Sequence, residues 1–254
     1  MKQAKIVIAY NNIEPNSAEL SLQQTLDLPL CHLQEAPQFN AHFILYYEDS
    51  ALSLQSTAKI APGPLSVDFT QLQRRASDAL FKQNLLKAAG VGKGKRPTIL
   101  DATAGLGTDS FLFTIAGCFV MALEQNPIVF ALLSDGIERY VQLGKTQADA
   151  LSALEIRHEN FLQPDIQIEQ VQVVYLDPMF PAKSNSAQAK KGMTYLQDVV
   201  GKNANGEALF AEAEAIAIER IVVKRAKNSP FISDREPNLS FKGSSSRFDV
   251  YLLN

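Results

Sequence analysis

Residues 97–111 read Pro-Thr-Ile-Leu-Asp101-Ala-Thr-Ala-Gly105-Leu-Gly107-Thr-Asp109-Ser-Phe, and their reading decides the fold. The segment PTILDATA is a short apolar run behind a proline, which predicts a buried strand. TDSFLFTIAG, from Thr108 to Gly117, has the apolar spacing of a helix and a glycine to end it. Between them stand two glycines, two residues apart. Without a Cβ, the chain can turn tightly there and come close to whatever lies above it. A buried strand that enters a glycine turn and leaves as a helix is half of a parallel strand–helix–strand unit.

Working outward, the alternation repeats. CFVMALE (118–124) is a second strand, and NPIVFALLSDGIERYVQL (126–143) is a helix opened by Asn126 as N-cap, with Pro127 at its first position. ALEIRHEN (153–160) and VQVVYLD (171–177) are a third and a fourth strand. A polar segment from Ala182 precedes a helix near GEALFAEAEAIA, a strand ERIVVKRA (219–226) and a last strand SRFDVYLLN (246–254). Strands separated by helix-length segments predict a mostly parallel, Rossmann-like α/β sheet with helices on both faces. Upstream, Leu72, Ala76, Leu80, Phe81, Leu85 and Leu86 recur at helical spacing from Phe69 to Ala89, up to Gly90 and Gly92. The β-type runs KIVIAY, HFILYYED, ALSLQST and PLSVDF, punctuated by prolines, predict a small α/β or β-rich N-terminal unit. The expected division is an accessory unit over 1–66 and one domain over 67–254.

Composition bounds the function. The 254 residues are 46% apolar and 20% charged with a formal net charge of -3, ordinary values for a globular chain and unsuited to indiscriminate coating of nucleic acid. Charge is unevenly spread. Residues 1–66 hold three lysines against six acids, residues 67–96 seven basic residues against two acids, and residues 180–247 eleven basic against seven acidic. No apolar run is long enough to cross a bilayer, and the N-terminus reads as a strand rather than a signal peptide. Cys31 and Cys118 are far apart, and His32, His42 and His158 do not cluster. No metal site and a cytoplasmic location are expected. Cys31 beside His32 reads as a structural pair.

In a doubly wound sheet, ligands sit beyond the carboxyl ends of the strands. Glu124 ends the second strand, where a carboxylate can accept both hydroxyls of an adenosine ribose. NAD and S-adenosyl-L-methionine both carry that ribose, so Glu124 does not choose between them. A dinucleotide fingerprint wants a third glycine where Ser110 stands, and the loop lacks the lysine of a nucleoside-triphosphate site. Asp101, four positions before Gly105, completes D-x-x-x-G-x-G, which resembles the first motif of class I methyltransferases. In that class the glycine loop accommodates the methionine part of S-adenosyl-L-methionine.

The fourth strand runs into Asp177-Pro178-Met179-Phe180-Pro181. This looks like the D/N-P-P-Y/F motif of enzymes that methylate exocyclic or amide nitrogens, with methionine in place of the second proline. The amine of a base is a poor nucleophile because its lone pair is delocalised into the ring. Acceptors on its two hydrogens, the Asp177 side chain and the Pro178 carbonyl, favour the geometry in which nitrogen attacks a methyl group. Proline fixes the direction of that carbonyl. Phe180 can stack on the splayed base, worth about 1–3 kcal/mol. The basic groups of three segments are placed to meet phosphate: Arg74 and Arg75 on the 69–89 helix, Lys183, Lys190 and Lys191 after the tetrapeptide, and Lys224, Arg225 and Arg247 at the strand ends. They point to a structured RNA or DNA.

Taken in order, LDATAGLGTDSF, ALEQNPIVFALLSDG, VVYLDPMFP, the Lys190–Lys191 pair, VVKR and RFDVYL resemble the RsmJ family of bacterial ribosomal RNA small-subunit methyltransferases. The resemblance spans about residues 66–254. It implies transfer from S-adenosyl-L-methionine to the N2 amine of a specific guanosine of 16S rRNA, guanine-1516 in the family, with the small subunit or its RNA as partner. By position it also implies cofactor contacts at Thr108, Asp109, Glu124, Gln125, Asn160, Phe161 and Asp177, beside the glycine loop of Asp101, Gly105 and Gly107. Three rivals stay open on the residues alone: methylation of another amine (adenine N6, or a protein glutamine), a catalytically silent nucleic-acid-binding protein, and an NAD(P) oxidoreductase that Ser110 disfavours.

Overall fold

Parallel strands buried on both faces must be apolar nearly throughout, and this requirement sorts the chain into its layers. The computed structural model describes residues 5–59, 61, 63–76, 80–178 and 205–253, with the backbone alone at Arg75 and Ala76. Seven strands form the main sheet: β5 (Ile99–Asp101), β6 (Val120–Glu124), β7 (Leu154–His158), β8 (Val171–Leu176), β9 (Ala217–Ala226), β10 (Leu239–Lys242) and β11 (Ser246–Leu252). Their order across the sheet is β10-β11-β9-β8-β5-β6-β7. Strands β5 to β9 run parallel, and the order reverses between β5 and β8, which flank the crevice where a ligand is expected. Four further strands, β1 (Ile6–Tyr10), β2 (Leu30–His32), β3 (Phe43–Glu48) and β4 (Ala51–Ser56), make a separate sheet in the order β2-β1-β3-β4.

Helices cover both faces of the main sheet. On one face lie α2 (Phe69–Ala76), α3 (Asn84–Ala88), α4 (Thr108–Ile115), α5 (Pro127–Gln142) and α6 (Lys145–Leu151), following α1 (Ser17–Leu26) of the N-terminal sheet. Their core takes in Phe111, Phe113, Leu132, Leu133 and Tyr140 together with Ile8, Leu45, Leu52 and Leu54 of the first sheet, so that sheet is packed onto the α5 side. The Leu52 N–H donates to Asp135 Oδ2 (3.1 Å), and the Arg139 guanidinium reaches the Val67 carbonyl (2.6 Å). On the other face, α7 (Gly206–Ile216) buries Leu209, Phe210 and Ala213 against Leu100, Val174, Ile221 and Tyr251.

The mixed α/β architecture matches the expectation, with differences in detail. The last strand is antiparallel, because β10 returns through residues 243–245 into β11 as a hairpin, and β11 then inserts beside β9. The expected helix over 69–89 is broken. Residues 80–82 form a 3₁₀ turn, and α3 starts afresh at Asn84. A straight helix of that length would extend about 30 Å, whereas α2 packs on α4 and α5 and α3 under β10 and β11. PLSVDF is no strand and contributes one bridge, Leu65 to Leu54. Cys31 and His32 lie on β2, and the His32 side chain caps the turn that follows by accepting the Gln34 N–H.

Candidate active site

The carboxyl ends of β5, β6 and β8 carry the three acids singled out in the sequence. Asp101 ends β5 and is 1% exposed. Its Oδ1 accepts the Thr103 N–H (3.1 Å), and its Oδ2 accepts the Ser110 hydroxyl (2.5 Å). Burial pushes its carboxyl up to about 7, against the pull of the Ser110 hydroxyl. Asp101 therefore shapes the loop from beneath. Ser110, where a dinucleotide fold would have glycine, is the residue that ties α4 back to that acid.

Above Asp101 the chain turns through Gly105 (φ 56) and Gly107 (φ 73), a conformation in which side chains are strained. The two glycines serve different needs. A Cβ on Gly107 would collide with Leu133 Cδ1, so this glycine lets α4 close onto α5. A Cβ on Gly105 would meet nothing nearer than a carbonyl oxygen 4.0 Å away, so that side of the loop is open. Glu124 at the end of β6 reaches across to the loop. Its Oε2 accepts the Gly105 N–H (2.9 Å) and its Oε1 accepts the Asn126 N–H (2.7 Å). Each oxygen keeps acceptor capacity for a further donor. Burial raises the Glu124 carboxyl, and the two N–H groups oppose that rise. Asn126 in turn caps α5 by accepting the Ile128 and Val129 N–H groups.

These features fit S-adenosylmethionine. Glu124 has free acceptor capacity for the two ribose hydroxyls, and the open side of Gly105 gives the rest of the molecule a close approach to the backbone. The third strand supplies the neighbouring wall. The Glu159 N–H donates to the Glu124 carbonyl (3.2 Å), Asn160 accepts the Leu162 N–H (3.1 Å), and Phe161 is buried beside Leu100, Ala102 and Leu123. The Gln125 carbonyl lies 3.1 Å from His158 Nε2. Thr108 and Asp109 form the first turn of α4.

Asp177 stands one residue past β8, next to the same loop. Its backbone N–H donates to Thr103 Oγ1 (2.6 Å), which ties the end of β8 to the β5 turn. Lys224 Nζ lies 2.9 Å from Asp177 Oδ2 and 2.7 Å from Asp109 Oδ2, and Asp109 Oδ2 also accepts the Tyr175 hydroxyl (2.5 Å). Burial raises the Asp177 carboxyl while the Lys224 ammonium pulls it down. Lys224 itself is pushed up: Asp177 and Asp109 outweigh the cost of burial. Pro178 is buried.

Sequence reasoning missed Thr103 and Tyr175, and it assigned Asp109 to the cofactor and Lys224 to phosphate without bringing them together. The signal lay in strand pairing. β8 and β9 are parallel with Leu176 opposite Val223, so continuing the register sets Asp177 beside Lys224. Tyr175 is two residues before Asp177, on the same side of the strand.

The basic residues divide. Lys224 is turned inward between two carboxylates rather than out to phosphate. Arg225 and Arg247 are corrections of the same kind, 6% exposed each. Arg247 pairs with the buried Asp249 through Nε (2.9 Å) and donates to the carbonyls of Lys227 and Ser229 (both 2.8 Å). Arg225 donates to the Pro230 carbonyl (2.9 Å). Both guanidinium groups brace the segment after β9 through internal partners. Arg74 is exposed on α2. Phe180, Lys183, Lys190, Lys191 and the Arg75 side chain lie outside the described residues.

Residues 29–253 match the family model described as "Putative SAM-dependent methyltransferase". The chain is 39% identical over 217 residues to the ribosomal RNA small subunit methyltransferase J of Pseudoalteromonas translucida, covering 83% of this chain and 85% of that protein. It is 36% identical over 251 residues to the protein of the same name from Coxiella burnetii, covering 98% and 97%. A SAM-dependent methyltransferase from Neisseria gonorrhoeae, solved as a crystal structure, superposes with a TM-score of 0.70 at 29% identity over 97% of this chain and 95% of that one. On these matches, the chain belongs to the ribosomal RNA small subunit methyltransferase J family of SAM-dependent methyltransferases.

Proposed function

We propose that this chain methylates the exocyclic N2 amine of a guanosine in small-subunit ribosomal RNA. The observation that carries the reading is the position of Asp177, at the carboxyl end of β8 and pinned by Thr103 to the glycine loop that flanks the cofactor crevice. The family relatives named above are ribosomal RNA small-subunit enzymes, and guanine N2 follows from that kinship; the described geometry supports an amine as acceptor.

S-adenosylmethionine supplies a methyl group made electrophilic by its sulfonium. Glu124 holds the ribose hydroxyls, and the Gly105–Gly107 turn gives close backbone approach. The Asp177 carboxylate and the Pro178 carbonyl each accept one amine hydrogen, which directs the nitrogen lone pair at the methyl carbon. The Asp177 carboxylate would take the amine proton released on methylation and pass it to solvent. Catalysis of this kind is mostly positioning and electrostatics. Phe180 stacks on the extruded base. Arg74, Arg75, Lys183, Lys190 and Lys191 are the proposed phosphate contacts, and the described part of the chain contributes Arg74 at the solvent face of α2. Residues 1–66 are the proposed accessory unit, with 67–254 as the methyltransferase domain.

The test is Asp177→Ala. Turnover should be abolished while affinity for S-adenosylmethionine stays within about tenfold, because the acid acts on the acceptor in the transition state. Unchanged turnover removes Asp177 from the mechanism.

A further inference from the structure

Lys224 is the feature that neither the cofactor half of the site nor the RNA surface absorbs. It sits on β9, and the β8–β9 register brings it level with Asp177. Its ammonium has three protons, and two of them are committed, to Asp109 Oδ2 and to Asp177 Oδ2. Asp109 is further fixed by the Tyr175 hydroxyl, so the lysine is held from the α4 side by an acid that cannot swing away. Among the described residues, no hydrogen bond engages Asp177 Oδ1. Among the described residues, then, one oxygen of Asp177 is clamped and the other is not.

We propose that Lys224 is a positioning residue for methyl transfer, clamping one carboxylate oxygen of Asp177 so that the other is presented to the acceptor amine. The inference rests on the reading of Asp177 as the amine acceptor. A purely structural role explains the cluster poorly. An ion pair this open to water contributes little to stability. The cluster lies at the ligand edge of an otherwise apolar sheet, with Lys224 29% and Asp177 38% exposed at the side chain.

The charge balance gives the clamp a second effect. The groups facing Asp177 are Lys224 and Arg225 on β9, Asp109 on α4, Asp101 on β5 and Tyr175 on β8. Two of these are acids, and Arg225 is turned to the Pro230 carbonyl. Without the ammonium, Asp177 would stand beside Asp109 with only the weaker pull of Arg225 among the described residues, and would take up a proton at higher pH. A protonated Asp177 presents a hydrogen where the amine needs an acceptor.

The experiment uses the full chain with S-adenosylmethionine and small ribosomal subunits lacking the modification. It compares wild type with Lys224→Met, Lys224→Arg and Asp109→Asn between about pH 6 and pH 9. In Lys224→Met, turnover at neutral pH should fall at least about tenfold, and the acid limb of the kcat profile should rise by about 1–3 pH units, the effect of losing an adjacent opposite charge. Lys224→Arg should restore most of the turnover. Asp109→Asn removes a like charge, so its acid limb should move down. Cofactor affinity, read by calorimetry, should stay within about threefold in Lys224→Met, and circular dichroism should match wild type. A Lys224→Met profile superimposable on wild type overturns the proposal. So does a loss of turnover that is equal at every pH and matched by a loss of cofactor affinity. If Lys224→Met does not fold, an unmoved acid limb in Asp109→Asn overturns it. Wild type that methylates no small-subunit RNA refutes the parent reading instead; wild type that methylates while Lys224→Met keeps its profile refutes only the clamp.

Discussion

Replacing Glu124 with glutamine changes one atom in the best-defined part of the cofactor half, and its consequence can be worked through. The carboxylate is 8% exposed and each oxygen already accepts a backbone N–H, from Gly105 and from Asn126. A glutamine has one oxygen, so it can satisfy only one of the two. Its amide then faces the other N–H, donor to donor, at a site with little water. A buried donor left without a partner costs about 1–3 kcal/mol of folding stability. The same amide removes one charge-assisted acceptor for the cofactor ribose, worth about 1.5–3 kcal/mol, which corresponds to a loss in affinity of about 10- to 150-fold. Calorimetric titration of Glu124→Gln with S-adenosylmethionine reads the second effect and urea denaturation the first. The wild-type protein adds a sign. Burial raises the Glu124 carboxyl above its ordinary range, and the ionised form is the acceptor, so cofactor affinity should fall as pH is lowered through that raised value. Lost stability with affinity within about threefold of wild type would make Glu124 a brace for the loop and refute its role on the ribose.

Three other substitutions probe the frame around the site. Gly107→Ala must adopt a left-handed conformation and push Leu133 aside, and should destabilise by about 2–5 kcal/mol in urea denaturation, whereas Gly105→Ala, with open space at its Cβ, should cost only about 1 kcal/mol. Asp101 holds its proton up to about 7 when folded against 3.8 ordinarily, so the wild type loses stability as pH rises through that window; Asp101→Asn should flatten the dependence and equal or exceed wild-type stability at about pH 8, by differential scanning calorimetry. Arg247→Met strands Asp249, which is fully buried, and should cost about 3–5 kcal/mol, with most of it recovered in the double substitution Arg247→Met, Asp249→Leu; an Arg247→Met protein as stable as wild type that binds RNA less tightly would restore the phosphate role that burial argues against.

Much of this was legible before any coordinates. The alternation of apolar runs and amphipathic helices places β5 to β9, α4, α5 and α7 within a few residues, because long periodic segments buried on one or two faces write their geometry into composition. Asp101, Glu124 and Asp177 fall at or just past strand ends, as chain order alone places them. Elements without such periodicity escaped: α1 is specified by its Asn16–Glu19 capping box more than by its apolar face, and β10 is an edge strand with three of its four residues exposed. The break between α2 and α3 comes from tertiary packing, which overrides a helical pattern that reads as continuous. The basic residues were misread for a related reason. A lysine or arginine at a strand end looks the same in sequence whether it reaches for phosphate or for a carboxylate on a neighbouring element, and only the pairing of β8 with β9, and of β9 with β11, distinguishes the two for Lys224, Arg225 and Arg247.

The claim on which the rest depends is that this chain transfers methyl to a guanine amine of small-subunit RNA. It is tested by incubating the full chain with isotopically labelled S-adenosylmethionine and small ribosomal subunits lacking the modification, with naked RNA and DNA in parallel, then digesting the product to nucleosides. Label should appear in N2-methylguanosine from the small subunit or its RNA, and not with Asp177→Ala. Label in methylated adenosine, in DNA or in ribosomal protein would contradict it.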